Sequence, residues 1–142
     1  MNIDNDGMAM LTTGLASLPS LKKLQLRGMS IGDQGLQSLV RGLVNCNHEE
    51  FDISGSMLME SVSGLRSLGT LVRRTSNMRS LSLCDGLTDE GLQSFVEGMA
   101  NFCNLIELRL SRNHLITANG LESLSSLFRA EHCSLSNLFS MT

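Results

Sequence analysis

The stretch LIELRLSRNHL at residues 105–115 decides the fold. Leu105, Leu108 and Leu110 set a rhythm of apolar-x-x-apolar-x-apolar. Side chains alternate between the two faces of an extended chain. Leu108 and Leu110 therefore share one face, and Glu107, Arg109 and Ser111 share the other. A strand with one buried and one solvated face follows from that alternation. Working outward, the rhythm returns as LKKLQL at 21–26, HEEFDI at 48–53 and MRSLSL at 78–83, and begins again as LSNLFS at 135–140. The central apolar positions are Leu24, Phe51, Leu81, Leu108 and Leu138, separated by 27, 30, 27 and 30 residues. Chance does not hold that phase.

A second motif follows each strand in register. It reads IGDQGLQSLVRGL at 31–43, LTDEGLQSFVEGM at 87–99 and ITANGLESLSSLF at 116–128. IDNDGMAMLTTGL at 3–15 fits the same template, and SGLRSLGTL at 63–71 matches its second half. The trios Leu36, Leu39, Leu43 and Leu92, Phe95, Met99 lie at helical spacing, which predicts an amphipathic helix. One strand–turn–helix unit cannot bury its apolar face alone, but stacked units bury each other's. A helix is about 10 Å across and neighbouring strands lie about 4.8 Å apart. The expected fold is thus an α/β solenoid, a short curved horseshoe of four to five repeats. Its parallel sheet lies on the concave face and its helices on the convex face.

This strand-plus-helix repeat resembles the ribonuclease-inhibitor-like class of leucine-rich repeats. Residues 105–115 match that family's L-x-x-L-x-L-x-x-N-x-L pattern throughout. Cys46, Cys103 and Cys133 each lie five residues before a central strand position. That placement, with LTDEGL at 87–92, resembles the cysteine-containing repeats of F-box adaptor proteins. The resemblance implies a binding surface and not an enzyme, although a fold alone does not determine function. Repeat two departs from the pattern, with His48 at the first Leu position, and 51–62 reads as the least regular part of the stack. The expected division is one domain over 1–142, with repeats at 21–47, 48–77, 78–104 and 105–134. Partial repeats flank them at 1–20 and 135–142. Because no polar cap is visible at either end, we expect a fragment of a longer array, prone to edge-to-edge self-association when isolated.

Composition narrows the partners. The chain is 42% hydrophobic but only 4% aromatic, with no Trp and no Tyr, so its core is aliphatic, as a thin repeated core requires. Its net charge of −3 is scattered without a basic stripe, which argues against nucleic acid. The start Met1-Asn2-Ile3-Asp4-Asn5-Asp6 lacks the basic and apolar segments of a secretory signal. No run approaches the roughly 20 apolar residues of a membrane span. The four cysteines form no C-x-x-C pair, and no glycosylation sequon occurs. These features predict a reduced, cytoplasmic setting with no membrane contact.

Candidate chemistry is sparse. Cys46, Cys103 and Cys133 read as small buried side chains, spaced too far apart for a metal site. Cys84 falls on the outward phase, where we expect exposure on the concave face, with Arg112 as the nearest cation. His48, His114 and His132 occupy unrelated repeat positions, and no catalytic constellation can be built from them. No phosphate-binding glycine motif is present. No cofactor, metal or catalytic residue is expected.

The expected site is the outward ladder: Lys23, Gln25 and Arg27; Glu50, Asp52 and Ser54; Ser80, Ser82 and Cys84; Glu107, Arg109 and Ser111. Asn137, Phe139 and Met141 would extend it. Lys23 is placed to pair with Glu50, and Asp52 lies two strands from Arg109. Such a surface suits a protein or peptide ligand. Three other roles remain open: stimulation of a GTPase, the sensor part of an immune-receptor-like protein, and an F-box-type adaptor.

Overall fold

The computed structural model describes residues 4–44, 47–55, 61–75, 77–100, 102–129, 132–133 and 135–139. Helices and three-residue strands alternate along them. α1 (Asn5–Ala16) precedes β1 (Lys23–Gln25), and α2 (Asp33–Leu43) precedes β2 (Glu50–Asp52). α3 (Val62–Arg74), β3 (Ser80–Ser82) and α4 (Asp89–Met99) follow. The two-residue strand β4 (Phe102–Cys103) comes before β5 (Glu107–Arg109) and α5 (Ala118–Phe128). The last elements are β6 (His132–Cys133) and β7 (Asn137–Phe139).

One parallel sheet runs in the order β1-β2-β3-β5-β7. Its register places Leu24 on Phe51, Phe51 on Leu81, Leu81 on Leu108 and Leu108 on Leu138. The 27- and 30-residue spacings are thus lateral neighbours in space, and the helices form a second layer. A second parallel ladder, β4 with β6, pairs Phe102 with His132 and Cys103 with Cys133. Nothing in the hydrophobic rhythm announces it, because a two-residue pairing leaves no alternation to read.

The core lies between the two layers. Phe51, Leu81 and Leu108 are buried from the sheet, and Leu39, Leu65, Leu68, Leu92 and Phe95 from the helices. Full burial of each contributes about 1.5–3 kcal/mol toward offsetting the entropy of ordering the chain. Several helix starts are fixed by side chains. The carboxylate of Asp4 accepts from Gly7 N–H at 2.7 Å, and Thr88 Oγ1 from Gly91 N–H at 3.1 Å. Other caps cross between units: Asp33 Oδ1 accepts from Gly64 N–H at 2.6 Å, and Asp89 Oδ1 from Thr117 N–H at 2.8 Å. Asp89 also accepts from the Thr117 hydroxyl, and these bonds hold its carboxyl below the ordinary range.

Two glycines bring α3 and α4 together. A Cβ on Gly69 would overlap the Phe95 carbonyl oxygen, and one on Gly98 would overlap that of Arg66. The two backbones therefore touch reciprocally. At the helix starts, Gly64 and Gly91 admit Leu36 and Leu65 of the preceding helix. The close approach that these glycines permit is between helices.

Two residues beyond the last inward side chain of each inner strand, the backbone turns left-handed. Gly28, Gly55, Asp85 and Arg112 hold φ of 68°, 71°, 63° and 60°. This column carries the ladder past the strand ends, with Gly28 N–H donating to Ser54 O and Gly55 N–H to Cys84 O.

Two polar residues sit in the interior with different outcomes. Asn113, the N of the consensus, donates to the carbonyls of Leu83 and Leu110 and accepts from Leu87 N–H. His48 is buried where a leucine fits the pattern, and among the described residues neither ring nitrogen has a hydrogen-bond partner. Burial lowers its pKa from 6.5. The irregular segment predicted over 51–62 falls partly at 56–60, and Cys46 and Met141 likewise lie outside the described residues.

Candidate functional site

Short strands in register array their outward side chains in rows. Along the first row Lys23 faces Glu50, then Ser80, then Glu107. Along the second, Gln25 faces Asp52, then Ser82, then Arg109. Together they line an open concave hollow of about 520 Å³. Every residue of the predicted ladder lines it except Lys23, with Leu24, Phe51 and Arg112 in addition. Among the described residues no group of three potential metal ligands occurs, and no helix is long and apolar enough to cross a membrane.

The charges come in close pairs. Lys23 Nζ lies 3.5 Å from Glu50 Oε2, as its placement predicted. Arg27 Nε lies 3.2 Å from Asp52 Oδ2, and Asp52 Oδ1 also accepts from Ser54 N–H. On β5, Arg109 folds onto Glu107 of its own strand at 3.2 Å. Glu107 also accepts from the Ser80 hydroxyl at 2.8 Å, and these two partners pull its pKa down. Arg112 reaches Asp85 at 3.4 Å. Alternation alone missed this last pair, because both residues lie past the strand ends in the left-handed column.

Cys84 requires a correction. The alternation predicted an exposed thiol, but Cys84 is only 8% exposed. Its Sγ lies 3.6 Å from the Arg109 carbonyl, and its N–H donates to Ser54 Oγ at 3.0 Å. Ser54 is buried beside it. In this row Ser54 and Cys84 are covered while Arg27 stays exposed, so the concave wall closes only at its middle strands. Arg112, expected as its cationic neighbour, pairs with Asp85 instead. The centre of the hollow is thus floored by Ser80 and Ser82, both half-buried and small.

Three segments, 17–40, 80–96 and 103–125, match the family model for the leucine-rich repeat. The chain is a leucine-rich-repeat protein. Its repeats are of the ribonuclease-inhibitor-like kind. The chain is 29% identical to a pig (Sus scrofa) ribonuclease inhibitor over 80% of its own length and 25% of the inhibitor's. It is 32% identical to NLR family CARD domain-containing protein 4 of Xenopus tropicalis, over 77% of this chain and 11% of that protein. This leucine-rich-repeat protein thus spans a quarter or less of these relatives. The C-terminal domain of a Caenorhabditis elegans tropomodulin superimposes with a TM-score of 0.68 at 17% identity, covering 96% of this chain and 82% of the domain. That likeness concerns the fold alone. Leucine-rich repeats generally mediate protein–protein interaction.

Proposed function

We propose that this leucine-rich-repeat protein is a non-enzymatic binding module that holds a protein or peptide against its concave sheet. The observation that carries the reading is the 520 Å³ hollow, lined by all but one of the outward ladder residues. Eleven ladder residues from four units line it, while the core beneath is independent of their identity. Nothing in the hollow favours turnover: its acidic groups are engaged by Arg, Lys or Ser, and its thiol is buried.

The test fills the hollow. Ser80→Arg with Ser82→Arg places bulk at its floor, and Arg41→Glu alters the exposed face of α2 as a control. Proteins captured by the unaltered chain should be lost to the first variant and retained by the second. Identical captured sets from all three chains would place binding on another surface.

A second reading has one observation in its favour. The 32% identity to an NLR family protein supports membership of a longer, immune-receptor-like chain. Sequencing the full transcript tests it, since that reading requires a nucleotide-binding domain in the same frame.

A further inference from the structure

Taken as formal charges, the ladder is balanced, and the chain carries −3 overall. Depth changes that balance. Arg27 is 57% exposed while its partner Asp52 is 16% exposed. Arg109 is 51% exposed against 24% for Glu107, and Arg112 59% against 47% for Asp85. Lys23 and Glu50 follow the same order, at 68% and 49%. In each of these pairs, as in Lys22–Glu49 and Arg66–Glu97 elsewhere on the surface, the cation is the more exposed partner. A partner arriving from solvent meets guanidinium and ammonium groups before it meets a carboxylate.

The guanidinium groups of Arg27 and Arg112 also have donors to spare. Arg27 engages Asp52 through Nε and Arg112 engages Asp85 through one terminal nitrogen. A guanidinium carries five N–H donors in a planar fork matched to a carboxylate. Arg112 is, moreover, held at a φ of 60°, at a column position that Gly28 and Gly55 fill in two other units. A side chain kept where glycine is more stable, and aimed at the groove, fits a binding role.

Resting on the binding role proposed above, we infer that the groove selects an acidic, extended protein segment. The spacing specifies it further. Arg27 extends from β1, and Arg109 and Arg112 from β5, three strand steps away, or about 14 Å. An extended peptide rises about 3.3 Å per residue, so carboxylates four residues apart span that distance and project from one face. Between them the segment passes over Ser80 and Ser82, where the floor leaves room for a larger side chain. Nucleic acid fits less well. The chain has no Trp or Tyr on which a base could stack.

The experiment uses fluorescein-labelled peptides of Gly and Ser with two glutamates four residues apart, their lysine twins, and a uridine oligonucleotide. Fluorescence anisotropy with the full chain should show the glutamate peptide bound, the lysine twin unbound, and binding weakened by salt. Arg27→Glu with Arg112→Glu should weaken it about tenfold or more, and Arg41→Glu should leave it unchanged. Circular dichroism verifies that each variant is folded. No binding of the glutamate peptide, tighter binding of the lysine twin or oligonucleotide, or indifference to the double substitution overturns the charge assignment. The binding role fails separately. If the Ser80→Arg, Ser82→Arg variant loses a lysine peptide, the groove binds protein with the opposite preference. If obstruction changes no captured protein, the groove itself is the wrong surface.

Discussion

Asn113 spends its side-chain amide on three backbone partners: the carbonyls of Leu83 and Leu110 and the N–H of Leu87. Replacement by leucine would leave all three buried and unmatched. Asn113→Leu should cost about 3 kcal/mol, read as a lower denaturant midpoint with an unchanged slope. His48 is the opposite case, buried with both ring nitrogens unpartnered among the described residues. His48→Leu should stabilise by about 1–2 kcal/mol at neutral pH. The gain grows in acid. Because the folded-state pKa is lowered, the neutral ring is favoured, and this part of stability is intact above about 6.5. It is lost as pH falls below that value toward the lowered folded one. Denaturation at about pH 5 and pH 8 checks this, and an equal gain at both would contradict it. Both residues could be singled out in the sequence, one as the consensus Asn and one as a histidine at a leucine position. The left-handed conformation of Arg112 could not, since arginine does not signal it, whereas Asp85 is of a type enriched there.

The helices carry a different lesson. Gly69 lies mid-helix, where alanine is ordinarily better by about 0.5–1 kcal/mol. Here the added methyl would collide with a neighbouring carbonyl that cannot swing aside. Gly69→Ala should therefore destabilise by about 1–3 kcal/mol, reversing the usual sign, with thermal unfolding as the measure. A stabilised variant would mean that the two helices can separate freely. The stripes Leu36, Leu39, Leu43 and Leu92, Phe95, Met99 made these helices legible from spacing alone. Their caps between units were not. Asp33 and Asp89 satisfy N–H groups of the following unit, and such pairs across 28 to 31 residues leave no local pattern.

Across the stack, equivalent positions differ in burial by place. Leu92, Met99 and Leu108 are fully buried, whereas their counterparts Leu121, Phe128 and Leu138 are 49%, 44% and 39% exposed. Stability in a solenoid sums over neighbours, so a unit with one described neighbour has less of it. Amide exchange should be slowest at Phe51, Leu81 and Leu108 and faster at Leu24 and Leu138, read residue by residue. Uniform protection would show instead that the stack opens only as a whole. Sheet order and the lining of the hollow followed from one recurring phase. Which charges face a partner did not, because the depth of a side chain depends on its neighbours' shapes. The backbone contact between α3 and α4 bears on that surface from behind. Curvature arises because the outer layer is wider than the inner one, and at this point two missing methyl groups narrow the outer layer. Bulk restored there would tighten the arc and draw the two walls of the hollow toward each other. The radius of the horseshoe is thus set in part from its convex side.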